Sequence, residues 1–413
     1  MDGGAGLDSA VEEGIIIDLT SYVETYTPNY IRFLDAFDAV NKASWTDKGY
    51  LWCFACISID NPIQWGPMIR SDWLAETSLE SPVTVADWEA ILESFKANGH
   101  PNALALRDNG FPCAIGGEGV FSSAFNVSPI GLGANNEFAN IDGKIVFTPV
   151  ADGYKQYLEL MSDWYARDLV YKDLVGMGGV PNLVQADKIG LFVWNSGDLD
   201  NLNAEPVAIP VLDANNPESH FYEFVKPASG GLCIGSNVPE EDLPILLSWF
   251  NYHYSDEGAV LSNYGQEGVT FEYDADGIPQ FTEFFYNNPK EGYVVGALED
   301  AWTMKYSGCM RIWQATYNIP TASSKPLEAA DIWAKYDADY VLPAISLTAD
   351  ESASVTSNQT DIETYVSEYT LHCVAGDYDV DATWDDYVKS VEDMGLEKMV
   401  SVYQAALDRY MSK

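Results

Sequence analysis

The feature that most constrains the fold is the alternation of short apolar segments with longer amphipathic ones. The short segments are typical of β-strands and include GYLWCFACISI, KIGLFVW, EPVAIPVL and GGLCIG. The segments between them carry apolar residues at helical spacing. Strands that alternate with helices predict an α/β architecture. A chain of 413 residues is too long for one ordinary core, so the sequence predicts two lobes.

Several helices can be predicted with their ends. In PVTVADWEAILESFKANG, Thr84 is the expected N-cap, Asp87 stands three residues later, and Gly99 follows the end. Two further helices are predicted over GYKQYLELMSDWYARDLV and LEKMVSVYQAALDRYM, and a long one over residues 238–265. We interpret the aromatic residues on these helices as core. Residues 348–361 are expected to form a loop, and Asp276-Gly277 a hairpin turn.

The charge balance restricts the possible partners. The chain has 21 Lys and Arg against 63 Asp and Glu, a formal net charge of −42. Such a surface repels phosphate backbones and anionic lipid heads, so nucleic acid is excluded as a partner and a neutral ligand is favoured. The most apolar run, residues 243–250, is far shorter than the roughly 20 residues of a membrane-spanning helix.

The sequence contains no recognisable catalytic or metal-binding motif. Cys53 and Cys56 are close in sequence, but positions i and i+3 of a strand point to opposite faces, so we interpret them as buried free thiols. There is no nucleophile elbow, phosphate loop or zinc motif, and the acidic DADGIPQFTE segment lacks the spacing of a calcium loop. We therefore predict no cofactor and no metal.

One stretch of sequence resembles a known family. WGPMIRSDWLAETSLESPVTVADWEAILESFKANG is similar to the extracellular solute-binding proteins of ABC importers (family 1), especially the long lipoprotein type of Gram-positive bacteria. The residues that carry this resemblance are Arg70, Asp72, Trp73, Leu74, Pro82, Thr84, Asp87 and Trp88. Further similar segments follow in the family's order, among them KIGLFVWNSGDLDNL and the closing WDDYVKSVEDMGLEKMVSVYQAALDRY.

The resemblance implies a two-lobed, periplasmic-binding-protein-like fold of type II, with a cleft between the lobes. Lobe I would comprise residues 1–56 and 212–300, and lobe II residues 57–211 and 301–413. The opening segment is similar to one that lies further into such proteins. We therefore expect lobe I to be incomplete, lacking its N-terminal strand–helix–strand portion. We also expect the protein to sit on the extracellular face of the membrane, lipid-anchored through an N-terminal segment absent from this chain. The calcium loop of some relatives is shorter and poorer in carboxylates here, so calcium is not carried over.

Sugar-binding sites place aromatic rings on the apolar C–H faces of sugars and amides or carboxylates on their hydroxyls. Trp194 and Asn195 fit this pattern best, since they end the strand KIGLFV, and the resemblance implies an aromatic in the cleft there. The other candidates, beside strand ends or a glycine-rich loop, are Asp60, Asn61, Trp65, Tyr264, Glu267, Trp302 and Trp313. Tyr264 and Glu267 also fit a structural role, and Arg70 and Asp72 are expected to form an internal charge pair.

Two classes of function follow. The resemblance implies a non-enzymatic protein that captures a solute, a neutral oligosaccharide above all, and delivers it to the permease subunits of an ABC importer. The alternative is a carbohydrate-active hydrolase that uses a pair of carboxylates. Among 63 acidic residues no such pair can be singled out without geometry. Peptides and other small solutes remain open as ligands.

Overall fold

The computed structural model describes residues 7–57, 65–106, 117–128, 137–174, 179–215, 220, 228–286, 325–336, 338–343 and 345–412. Within these ranges the helices are α1 (Leu7–Glu12), α2 (Val23–Tyr26), α3 (Pro28–Ala36), α4 (Asp38–Ser44), α5 (Ser71–Ala75), α6 (Val85–Ala97), α7 (Gly117–Ser123), α8 (Asp152–Ala166), α9 (Val180–Gln185), α10 (Leu243–His253), α11 (Asp256–Tyr264), α12 (Glu283–Tyr286), α13 (Lys325–Trp333), α14 (Ala349–Ala375), α15 (Val380–Asp393) and α16 (Leu396–Ser412). None of these described helices combines the length and the apolar character that crossing a membrane requires.

The strands are short and pair antiparallel. They are β1 (Phe54–Ile57), β2 (Trp65–Arg70), β3 (Phe138–Ile141), β4 (Lys144–Phe147), β5 (Leu191–Asn195), β6 (Ala204–Pro206), β7 (Ala228–Leu232), β8 (Phe271–Tyr273) and β9 (Pro279–Phe281). In the described part of the chain β1 pairs with β7, β3 with β4 and β8 with β9, while β5, β2 and β6 form a sheet in that order. The described chain therefore mixes helices with short strands, as the predicted α/β class requires, although the elements come in groups and do not alternate one by one.

One hydrophobic core is built around β1, α3 and α10. Tyr30 of α3 is fully buried, and its hydroxyl donates to the Cys53 carbonyl and accepts from the Ala55 backbone N–H. The Tyr254 hydroxyl donates to the Ala55 carbonyl at 2.6 Å, and its ring centroid lies 4.6 Å from that of Tyr30. Burial raises the pKa of the Tyr30 hydroxyl far above its usual range. These two tyrosines tie the backbone around β1 to the helices on it.

A larger core surrounds the sheet β5–β2–β6. Successive residues of a strand face opposite sides of a sheet, and here Met68 packs with α9 and α13 while Ile69 packs with α6 and α8. The backbone of residues 103–106 continues this sheet beyond β5, with a parallel bridge between Leu104 and Leu191. Both faces of β2 are therefore covered, which explains its nearly continuous apolar sequence.

The predicted capping of α6 is confirmed. The Thr84 hydroxyl accepts from the Asp87 backbone N–H, and the Asp87 carboxylate accepts from the Thr84 N–H at 2.8 Å, which satisfies two otherwise unpaired donors. Backbone hydrogen bonding holds the pKa of Asp87 below its usual range. The predicted stripe of α6, which comprises Trp88, Ile91, Leu92 and Phe95, is buried. Gly99 has the positive φ of 100° expected just past a helix end.

The predicted helix over residues 238–265 is two helices, α10 and α11. Ser255 separates them, because its side chain accepts from the Gly258 backbone N–H and so caps a new helix. A Cβ at Gly258 would lie 2.0 Å from the Tyr252 carbonyl oxygen. The glycine therefore lets the two helices meet at a tight corner. The turn at Asp276-Gly277 is confirmed, with β8 and β9 on either side of it.

The prediction of a loop at residues 348–361 is wrong. These residues form the first half of α14, a helix of 27 residues. Thr348 begins the helix with a capping box to Glu351, and Val355 and Ile362 are buried seven residues apart. The small polar residues that suggested a loop lie on the outer face, where the hydroxyls of Thr356 and Thr360 donate to carbonyls four residues earlier. Tertiary packing of a sparse apolar stripe thus overrides weak local preference.

Candidate ligand-binding site

Two predicted site residues, Trp65 and Trp194, lie together at one end of the sheet β5–β2–β6. In the register of β2 and β5, Trp65 is opposite Asn195 and Gly66 is opposite Trp194. The two indole rings meet edge to face, with centroids 5.2 Å apart and planes at 70°. Both side chains are half-buried. The strand register therefore brings together two tryptophans that are 129 positions apart in the sequence.

The Trp194 ring is oriented by a carboxylate. Its Nε1–H donates to Oδ2 of Asp198 at 2.8 Å, and Oδ1 of Asp198 accepts from the Asn201 side chain. The Asn195 side chain accepts from the Gly197 backbone N–H at 2.8 Å and so caps the single helical turn at Ser196–Asp198. This turn places Asp198 beside the indole. Asp198 is absent from the sequence-based candidates, although a carboxylate four residues after Trp194 is visible in NSGD.

The sheet that carries Trp65 and Trp194 is tightly packed against α13. Gly66 faces the buried Trp333 ring, and a Cβ on that glycine would lie 2.2 Å from a ring carbon. The Trp333 Nε1–H donates to the Val207 carbonyl at 2.9 Å, which fixes the indole across the sheet. Gly66 therefore lets α13 approach β2 closely, and the sheet next to Trp65 and Trp194 is tightly packed against that helix.

Four of the predicted site residues lie outside the described residues. They are Asp60, Asn61, Trp302 and Trp313. Of these, Asp60 and Asn61 belong to the segment that leads directly into Trp65 at the start of β2. The role predicted for all four stays a prediction.

Tyr264 does not face solvent. It is fully buried at the end of α11, with its ring centroid 5.0 Å from that of Phe281, and burial raises the pKa of its hydroxyl. Glu267 is exposed in the following glycine-rich loop, where it forms a bridge with Phe271. A side chain without accessible surface cannot contact a ligand in this conformation. Tyr264 therefore supports the loop, as its structural interpretation anticipates.

The predicted charge pair of Arg70 and Asp72 is present, but only Arg70 is buried and the Asp72 side chain is exposed. Arg70 Nε donates to Asp72 Oδ1 at 2.9 Å, and the guanidinium also pairs with Asp187 and donates to the Val184 carbonyl at 3.0 Å. It lies 4.8 Å from the Trp73 ring centroid. The guanidinium holds the pKa of the Asp72 carboxyl below its usual range. This network fixes the end of β2 to that of α9.

Glu137, outside the sheet that carries the two tryptophans, has a raised carboxyl pKa. Burial raises the pKa of Glu137 to about 7, and the nearby Glu363 adds to the rise. Glu137 directly precedes β3, and Glu363 belongs to α14, so this acid is part of the packing between the β3–β4 hairpin and the C-terminal helices. Across the described ranges, no cluster of three or more His, Cys, Asp or Glu side chains could hold a metal ion.

The sequence is similar to those of two known proteins. The sequence is 23% identical over 434 residues to the fructooligosaccharide ABC transporter substrate-binding protein FusA of Streptococcus pneumoniae, covering 100% of this chain and 79% of that protein. It is 24% identical over 307 residues to the lipoprotein LipO of Bacillus subtilis, covering 70% of this chain and 58% of LipO. No family model matches the sequence.

The fold is also similar to that of a solved solute-binding protein. An HMO-binding, ABC-transporter-associated solute-binding protein from Bifidobacterium longum infantis has a TM-score of 0.78 at 18% identity, covering 98% of this chain and 86% of that one. The two-lobed α/β fold and the resemblance seen in the sequence are therefore confirmed. The boundaries at residues 56/57, 211/212 and 300/301 and the remaining site residues stay predictions.

Proposed function

We propose that this chain, a relative of the ABC transporter solute-binding proteins along its whole length, captures an oligosaccharide between its lobes and delivers it to the permease subunits of an importer. The full-length similarity to a fructooligosaccharide-binding protein supports the oligosaccharide. Within the molecule, the proposal rests on the contact between Trp65 and Trp194 at one end of the sheet β5–β2–β6.

The chemistry of this pair suits a sugar. The apolar C–H face of a pyranose or furanose ring packs on an indole, and Asp198 holds the Trp194 indole in place before the ligand arrives. A ring that is already ordered costs less conformational entropy on binding. Asp60, Asn61 and Asn195 would complete the site by binding sugar hydroxyls. A neutral sugar also avoids repulsion by a chain of net charge −42.

We infer binding without catalysis. Hydrolysis of a glycosidic bond requires two carboxylates at a fixed separation across the bond. Asp198 is engaged by the Trp194 N–H, and Glu137, whose pKa is raised, packs among the C-terminal helices. The relatives are likewise named as binding proteins.

The lipoprotein LipO supports the location that we propose for this chain. The protein would work on the extracellular face of the cell membrane, held there by a lipid anchor. This position lets it collect a solute outside the cell and pass it to the permease.

Calorimetry with the purified protein tests the proposal against a panel of neutral oligosaccharides of two to five sugar units. We expect one saturable site and, at a hundredfold excess over Kd, a stabilisation of about 2.7 kcal/mol. The same mixtures are assayed for new reducing ends. Product formation that a carboxylate variant abolishes would establish the hydrolase instead. If the protein binds peptides but no sugar, the proposal that its ligand is an oligosaccharide is wrong.

A further inference from the structure

The pairing of β1 with β7 brings two cysteines together that are far apart in the sequence. Phe54 pairs with Leu232 in an antiparallel register. Continued one residue beyond the start of β1 and the end of β7, this register would set Cys53 opposite Cys233. Both belong to one small apolar cluster with Ile16 and Trp52. The register irregularity of this pair of strands lies between Phe54 and Cys56, on the other side of Phe54.

The Cys53 side chain is directed towards β7. A Cβ on Gly231 would lie 2.5 Å from the Cys53 Sγ, so the sulfur lies over the partner strand at a place that only glycine leaves open. Cys53 is fully buried and Cys233 is half-buried, and both are free thiols. Cα atoms of opposite residues in antiparallel strands lie about 4.5–5.5 Å apart, within the span that a disulfide bridges.

We propose that Cys53 and Cys233 form a disulfide that joins the start of β1 to the end of β7. Cys56 is not a competitor, because residues three apart in a strand are separated by about 10 Å, well beyond the reach of a disulfide. Cys373 is buried in α14, within the other core. The inference rests on the proposed function in one respect, since a protein outside the cell meets oxidants that sustain disulfides.

The oxidation needs a disulfide-containing oxidant, either a small molecule such as oxidised glutathione or a thiol oxidoreductase. The Cys233 thiolate attacks the oxidant, forming a mixed disulfide and releasing one thiol of the oxidant. The Cys53 thiolate then attacks the Cys233 sulfur, which forms the Cys53–Cys233 bond and releases the second thiol. The two protons and two electrons of the cysteine pair end on the two released thiols.

The accessibility of the two sulfurs sets the order of these steps. Cys233 retains exposed surface and meets the oxidant first. Burial raises the pKa of the Cys53 thiol, which suppresses its thiolate in the folded chain. Cys53 therefore reacts second, with the sulfur of Cys233 rather than with the oxidant itself.

The bond would close a loop of about 180 residues that contains most of the larger core. Cross-links that close long loops remove the most entropy from the unfolded chain. The disulfide would thus join the start of β1 to the end of β7 within the smaller part of the structure.

The test refolds the full chain in a mixture of reduced and oxidised glutathione and digests it without reduction. We expect a linked peptide that contains Cys53 and Cys233, the loss of two reactive thiols per chain, and a Tm about 5–10 °C above that of the reduced protein. Dithiothreitol should reverse both changes. Cys233→Ser should abolish the link, whereas the matched control Cys56→Ser should keep it.

Two results would overturn the inference: all thiols remaining reactive after refolding, or a link between any other pair. Calorimetry with the oligosaccharide panel is run on the oxidised and the reduced protein. If the protein binds an oligosaccharide but forms no Cys53–Cys233 link, the proposed function stands and the proposed disulfide is wrong. If the link forms but no oligosaccharide binds, the disulfide stands and the proposed function is wrong.

Discussion

At the residue scale, Trp194 is the side chain on which the proposed site depends most. It contacts Trp65 on one side and donates to Asp198 on the other. We expect Trp194→Ala to weaken oligosaccharide binding by about 1–3 kcal/mol, since aromatic anchors of binding sites contribute in this range. Calorimetry on the folded variant measures the loss, and circular dichroism verifies the fold.

Trp249→Ala is the matched control for this substitution. Trp249 is 46% exposed on α10, and its ring contacts those of Phe250 and His253 at the surface of the smaller core. Its removal should leave the affinity unchanged within twofold. Equal losses for the two variants, or an unchanged affinity of Trp194→Ala, would return Trp194 to a purely structural role.

At the element scale, α14 shows how one cap can begin a helix in a sequence of low helical preference. The Thr348 hydroxyl accepts from the Glu351 N–H, and the Glu351 carboxylate accepts from the Thr348 N–H at 2.8 Å. We expect Thr348→Ala to lower the free energy of unfolding by about 1 kcal/mol, the usual loss for an N-cap. Urea unfolding with an unchanged m-value measures it.

Thr356→Ala provides the matched control within the same helix. The Thr356 hydroxyl donates to the Ser352 carbonyl on the exposed face, where alanine is the better helix former. This variant should be neutral or slightly stabilising. If both threonines cost the same on removal, the capping box would have no special part in starting α14.

At the scale of the whole molecule, Arg409 of α16 joins parts of both cores. Its guanidinium bonds both oxygens of Glu351, at 2.7 and 2.6 Å, and its Nε donates to Asp47 at 2.8 Å. Asp47 follows α4 beside the smaller core, whereas Glu351 belongs to the helix that packs in the larger one. The hydrogen bonds from Arg409 hold the pKa of Glu351 below its usual range.

This pair makes stability depend on acid pH. A carboxyl whose pKa is lowered by folding contributes stability above its unfolded pKa, about 4.5, and loses that contribution as the pH falls through the folded value. We expect Glu351→Gln, which keeps a capping side chain, to be about 1 kcal/mol less stable than the natural chain at pH 7. The gap should narrow progressively as the pH falls below about 4.5 and through the lower pKa of the folded state. Urea unfolding at a series of pH values measures it.

Asp393→Asn is the control for that experiment. Asp393 pairs with Lys389 on α15, and both side chains are about 70% exposed, so screening by water leaves the pair little energy. Its removal should leave the free energy of unfolding unchanged within the error of the measurement at any pH. A Glu351→Gln gap that does not vary with pH would show that the charge of Glu351 has no part in it.

Much of the local structure could be predicted because its causes lie within a few residues. The capping box at Thr84, the buried stripe of Trp88, Ile91, Leu92 and Phe95, and the hairpin turn at Asp276-Gly277 each depend on contacts inside one element. Hydrogen bonds and side-chain spacing within a turn or helix are the same wherever that element packs. The charge of −42 belongs to the same class, since it is a property of composition.

The sequence alone thus determined the α/β class, the ends of α6, the hairpin and the preference for a neutral ligand. Only the tertiary structure decided that Trp65 meets Trp194, that Cys53 and Cys233 share one apolar cluster, that Tyr264 is buried and that residues 349–361 are helical. These outcomes depend on which strands pair and in which register, and on which faces are covered. Such contacts join residues that are up to 180 positions apart, and the energy of each exists only once the whole core has formed.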